Sequence, residues 1–125
     1  MNSRNGQSGG GAQSAAIRAL NDAFRRTFKG GTVVLSAGII ALGAQRQHAV
    51  LAAVQAFDDF NDADDPWCEH DMAAVMVDGE SIFFRIEHYD PTGAELSEDP
   101  ADPARTERVL TIMFGREFGR KTEPG

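Results

Sequence analysis

Residues 69–90 read EHDMAAVMVDGESIFFRIEHYD. Asp78-Gly79 separates two runs of alternating apolar residues. A two-residue type I′ loop needs φ > 0 at both central positions, and Asp-Gly supplies this at little steric cost. The stretch therefore predicts a hairpin. Val77 opposes Glu80, Val75 opposes Ile82, Ala73 opposes Phe84, Asp71 opposes Ile86 and Glu69 opposes His88. Side chains alternate between faces along a strand. Ala73, Val75, Val77, Ile82, Phe84 and Ile86 thus form a core face, while His70, Met72, Met76, Phe83, Arg85 and Glu87 share a mixed second face. Met72, Met76 and Phe83, if left uncovered there, suit a homodimer.

The same register projects Glu69, Asp71, His88 and Asp90 to one side at the open end of the hairpin, with His70 on the other. Carboxylates and imidazoles are the groups that hold divalent metals or move protons. Glu69, His70, Asp71, His88 and Asp90 are therefore the candidate polar cluster, with Glu69, Asp71 and Asp90 as candidate metal ligands. The competing reading is structural: strand-end caps and ion pairs with Arg25, Arg85 or Arg105. No cofactor other than such a metal is expected. The glycine-rich run GGTVVLSAG lacks the phosphate-loop pattern and precedes a strand instead of following one.

Upstream, Ile17, Leu20, Phe24 and Phe28 recur at helical spacing, so 14–28 predicts a helix with Ser14 as N-cap and Gly30-Gly31 beyond its end. Arg18, Arg25, Arg26 and Lys29 lie off that stripe, on a solvated face. TVVLS at 32–36 predicts a buried strand, and 39–42 is ambiguous between bent strand and short helix. Val50, Val54, Phe57 and Phe60 predict a helix over 44–60, ending in Asp58, Asp59, Asp62, Asp64 and Asp65. Carboxylates at a helix C-terminus oppose its macrodipole, so a cation or basic neighbour is expected there. Trp67 is expected to pack over the hairpin end. Downstream, Asp102-Pro103 reads as N-cap and first helical residue. VLTIMF could stand alone as a strand, but the cap and its Arg/Glu flanks decide for a helix over 103–118.

These elements predict an α+β fold: a small antiparallel sheet, one strand plus the Asp-Gly hairpin, packed with three helices. A single domain over 14–118 is expected, with residues 1–13 a disordered tail and 119–125 a C-terminal tail. One cysteine, Cys68, excludes an intramolecular disulfide and fits a reducing cytoplasm. No stretch approaches the roughly 18 apolar residues of a membrane span, and the start of the chain shows no apolar signal core.

The net charge of −7 is unevenly laid out. Residues 1–48 hold six Lys/Arg and one acid, 49–103 hold one Arg and fifteen acids, and 104–125 hold five Lys/Arg and three acids. Phosphate contacts need Lys and Arg, so the acidic middle argues against a general nucleic-acid binder, and no direct nucleic-acid contact is expected. That middle suits a solvated loop face, and otherwise a cation or a protein with a basic surface.

The stretches LNDAFRRTFKGG, VVLSAG, AFDDF, DPWCEHD, DGE, YD and DPADPARTERVLTIM, between Ala19 and Phe118, resemble domain of unknown function 3768. That family is found in alphaproteobacterial genomes, often near plasmid or conjugative-element genes. The resemblance implies no activity or catalytic residue. It keeps Glu69, His70, Asp71 and Asp90 within the match, whereas the family pattern more often has an aromatic residue in place of His88. It implies a role in plasmid maintenance or in countering host defence. Two readings stand on the sequence: a cytoplasmic interaction module with an acidic surface at Asp58, Asp59, Asp62, Asp64 and Asp65, or a small metal-dependent enzyme using the hairpin-end cluster. The first is preferred.

Overall fold

The computed structural model describes residues 11–118. In chain order these form helix α1 (Gly11–Thr27), strand β1 (Gly31–Leu35), short helix α2 (Ala37–Ile40), helix α3 (Ala44–Ala56), strands β2 (Met72–Val77) and β3 (Glu80–Tyr89), a 3-10 turn (Pro103–Arg105), strand β4 (Glu107–Phe114) and short helix α4 (Gly115–Phe118). The four strands make one mixed sheet in the order β1-β4-β3-β2. β1 runs parallel to β4, and the other neighbours are antiparallel.

The hairpin forms in the expected register, from Val77 opposite Glu80 to Ala73 opposite Phe84. Asp78 and Gly79 carry φ of 52° and 80°, the left-handed pair a type I′ turn requires. Ala73, Ile82, Phe84 and Ile86 are buried in one core with Leu110, Ile112 and Phe114 of β4, Phe24 of α1, Ile39 of α2, and Val50 and Val54 of α3. Gly31 lets α1 approach this core closely. A Cβ there would meet the Arg108 carbonyl and come within 2.7 Å of the Phe24 ring.

Several expectations are corrected. Residues 107–114 form a strand, not a helix. Asp102 does cap, its side chain accepting from the Ala104 N–H, but the turn it starts lasts three residues. β4 lies inside the sheet between β1 and β3. A strand covered on both faces reads as a nearly continuous apolar run, without the period that tells strand from helix. The sheet therefore has four strands with a parallel pair, instead of an antiparallel three. The helices are two long and two of four residues. β1 is an edge strand, exposed or half-buried along its length, not a buried one. α1 begins at Gly11, so 11–13 are helical and Ser14 is a buried residue within the helix instead of its cap. Residues 1–10 and 119–125, the bulk of the two expected tails, lie outside the described residues.

α3 ends at Ala56, and Phe57 turns extended at φ −64° and ψ 134°. Phe57 and Phe60 still reach the core, but from the loop. Arg25 Nη1 donates to the carbonyls of Val54 and Phe57, at 3.4 and 3.1 Å. The cation expected at this helix C-terminus is thus the protein's own arginine, fully buried. The loop from Phe57 to Asp71 leaves α3 at that point and leads into β2.

Candidate functional site

The loop over 57–71 is held from beneath by α1 and by its own backbone. Asp65, 4% exposed, turns its carboxylate inward, and Oδ1 accepts from the N–H groups of Glu69 and His70 at 2.8 and 3.1 Å. Wrapping backbone donors around one carboxylate requires unusual dihedrals. Cys68 and His70 sit in the left-handed region at φ 57° and 56°, a conformation that costs non-glycine residues energy. Two α1 side chains then tie the loop down. Arg18 donates to the Cys68 carbonyl at 2.9 Å, and Asn21 Nδ2 donates to the Glu69 carbonyl at 3.0 Å.

Beneath the loop lie two linked polar groups. In the first, Asp22 takes a hydrogen bond from Arg25 at 3.0 Å and meets His70 Nδ1 at 2.9 Å. His70 Nε2 lies 3.9 Å from the Asp65 carboxylate, and the ring stacks on Phe60 with centroids 4.0 Å apart. Arg25 lies over the Phe60 and Phe84 rings, at 5.2 and 5.8 Å. Burial pulls its guanidinium pKa down, and Asp22 counters that.

In the second group, the fully buried Asn21 is the hub. Its Nδ2 is committed to Glu69, so Oδ1 faces Arg108 Nε at 2.8 Å and His88 Nε2 at 3.0 Å. Arg108 can only donate, and His88 Nε2 must therefore carry a proton and donate as well. Burial, with Arg108 close by, lowers the His88 pKa to about 4, so the ring is neutral at pH 7. Arg108 also donates to the Pro100 carbonyl. Burial lowers its pKa, and the charge of Glu69 opposes that shift.

The structure divides the predicted cluster. Glu69, His70 and Asp71 lie in the loop before β2, not in a strand, and His88 faces Arg108 across the β3–β4 pair instead of facing Glu69. Burial raises the Glu69 and Asp71 carboxyls, and the charges of Asp71 and Asp65 add to the rise at Glu69. Asp90 belongs elsewhere. Its carboxylate accepts from the N–H and hydroxyl of Thr92, and the Thr92 bond holds its pKa down. Among the described residues no three His, Cys, Asp or Glu side chains are placed to hold a metal ion. Both nitrogens of His70 face carboxylates and Nε2 of His88 is spent on Asn21, so this network chiefly fixes the loop.

That loop presents a surface. Asp58, Asp59 and Asp62 are exposed, Asp64 is half-buried, and Asp65 is turned inward. Trp67 is 62% exposed, contrary to the packing role expected for it. Reading by residue type misses Asn21, Asp22 and Arg108 as network members; Arg25, offered both on the solvated face and as an ion-pair partner, is buried and pairs with Asp22. One signal points to Asn21. It follows Ile17 by four residues and precedes Phe24 by three, on the stripe that faces the core.

The sequence profile of a family described as "Protein of unknown function (DUF3768)" matches residues 35–117. No curated protein and no solved structure matches the chain. Among the described residues no helix is long and apolar enough to cross a membrane.

Proposed function

The chain belongs to the DUF3768 family of proteins of unknown function, and from that premise we propose that it is an interaction module whose loop over 57–71 docks on a protein with a basic surface. One observation carries this reading: Trp67 stands 62% exposed on a loop that Arg18, Asn21 and Asp65 hold in place. Tryptophan is a frequent energetic anchor of interfaces. Holding the loop in advance lowers the ordering cost of binding. The exposed Asp58, Asp59 and Asp62 around it favour Lys and Arg across the interface and speed encounter. They also repel phosphate, so direct nucleic-acid binding is not part of the reading. A cytoplasmic accessory protein of a mobile element, acting on a basic surface of a host protein, fits this chemistry and the family's resemblance.

Trp67 is the sole tryptophan and so reports its own contacts. Its fluorescence would be titrated with an Arg/Lys-rich peptide and with an acidic peptide of equal length. The basic peptide is expected to shift the signal saturably, and more weakly as salt rises. Asp58→Asn, Asp59→Asn and Asp62→Asn together should weaken binding about tenfold, at roughly 0.5 kcal/mol per charge. Equal response to both peptides, or a triple variant that binds as tightly as the native chain, would refute the proposal.

A further inference from the structure

The edge of the sheet at β2 carries an inference independent of the acidic loop. Among the described residues β2 has one neighbour, β3, and is the last strand of the sheet on that side. Val77 and Glu80 flank a two-residue turn and exchange hydrogen bonds, and in an antiparallel pair bonded and non-bonded positions alternate. Val77, Val75, Ala73 and Asp71 therefore face β3 with their backbone groups. The Ile86 N–H bond to the Asp71 carbonyl, at 2.7 Å, confirms that parity. Met72, Ala74 and Met76 are left pointing their N–H and C=O groups out of the sheet. Among the described residues none of these groups takes part in a hydrogen bond outside the ladder.

Folded proteins normally protect such an edge with charge, proline, a bulge or a covering segment. β2 reads MAAVMV, with no charged residue and no proline. Ala74 is exposed, and Met76 is 65% exposed. The pattern is also self-complementary. About a two-fold axis at Ala74, Ala74 of one copy opposes Ala74 of the other, and Met72 opposes Met76. Each opposed residue has its backbone groups aimed across the axis, so the pairing closes about six hydrogen bonds. It sets methionine against methionine on the sheet face away from α1 and α3. Pairing β2 with β1 of the next copy is head-to-tail and leaves a free edge at each end unless a ring closes, whereas the two-fold arrangement uses each β2 edge once and closes with two copies.

We propose that the protein forms a homodimer by edge-to-edge antiparallel pairing of β2 with β2 of a second copy, merging two sheets into one. Each copy carries a charge of −7, so association strengthens as salt screens the repulsion. The dimer displays two copies of the Trp67 loop.

Sedimentation equilibrium on the full chain, from micromolar to near-millimolar, tests this together with amide hydrogen exchange. A dimer is expected, with the N–H groups of Met72, Ala74 and Met76 becoming protected as concentration rises. Ala74→Lys places two ammonium groups face to face on the axis and should give a monomer. Met76→Lys should weaken the dimer, and Ala52→Lys on exposed α3 surface should leave it intact. Far-UV circular dichroism checks that each variant folds, and the exchange pattern of the native protein reads the interface without any variant. A monomer at every concentration, a dimer that survives both β2 substitutions, or concentration-dependent protection elsewhere would overturn the proposal. A dimer abolished by Trp67→Ala and untouched by Ala74→Lys would place self-association on the loop instead.

Discussion

Replacing Asn21 with alanine should unfold the loop's support from within. Asn21 is fully buried and makes three hydrogen bonds: to the Glu69 carbonyl, from Arg108 Nε and from His88 Nε2. The bond from the charged Arg108 is worth about 1.5–3 kcal/mol, and a buried group left without its partner costs about 1–3 kcal/mol. Arg108 is 3% exposed, so water reaches its Nε poorly and the charge stays under-solvated. Allowing for non-additivity, the expected loss is about 3–5 kcal/mol. That is a large share of the roughly 5–15 kcal/mol typical of a folded domain, and it lowers the melting temperature by about 10–20 °C for a chain of this size. Urea unfolding followed by far-UV circular dichroism measures it. Asn21→Leu separates polar from packing effects, because leucine restores volume without hydrogen bonds. If hydrogen bonding dominates, the leucine variant is as unstable as the alanine variant. A loss below about 1 kcal/mol, or recovery in Asn21→Leu, would refute the reasoning.

Two predictions concern pH. Burial, with Arg108 nearby, depresses the His88 pKa from 6.5 to about 4, so between those values the unfolded chain binds more protons than the folded one. The stability from a neutral His88 is complete above pH 6.5 and is lost as pH falls towards 4, roughly 3 kcal/mol in all. Denaturant titrations at several pH values should show His88→Phe losing less stability over that window than the native protein. For Glu117, burial pushes the carboxyl up, but hydrogen bonds from the Ser36 hydroxyl and the Phe114 and Gly38 N–H groups, with the charge of Arg116, outweigh it and hold the carboxyl below 4.5. This stability is present above pH 4.5 and lost as pH falls below it. Glu117→Gln should cost about 1–2 kcal/mol at pH 7 and flatten the acid limb. An unchanged acid limb would contradict the assignment.

The acidic run after α3 shows how such costs are met. Carboxylates there lie close to a helix C-terminus, where they are unfavourable. Arg25 answers that from inside the core, bonding the last carbonyls of α3 and pairing with Asp22. The guanidinium is enclosed by Phe60 and Phe84 instead of water. An arginine so placed is structural, and truncating it would expose both the helix end and the loop's attachment.

The hairpin is legible because its information is local. Asp78-Gly79 fixes the turn, the turn fixes the register, and the register decides which face Ala73, Ile82, Phe84 and Ile86 bury. The α+β class and the helical stripe through Ile17 and Phe24 come from periodicity in the same way, whereas Phe28, expected on that stripe, lies one residue past α1 with φ 60°. Asp102 is legible as a cap too, since capping is decided within three residues. The strand downstream of Asp102 is not a local matter. VLTIMF has no distinguishing period, and β4 is a strand because β1 and β3, both far earlier in the chain, stand on either side of it. The candidate site divides along the same line. Residue type alone draws attention to Glu69, His70, Asp71, His88 and Asp90. The roles of Glu69 and His70 are set by α1, which brings Asn21 and Asp22 from 48 residues earlier to meet them. The left-handed backbone at Cys68 and His70 then turns the loop around Asp65 and leaves Trp67 facing water. Local sequence specifies turns, caps and faces because those energies act over a few residues. Which buried polar group finds which partner depends on distances that exist only once the chain has packed.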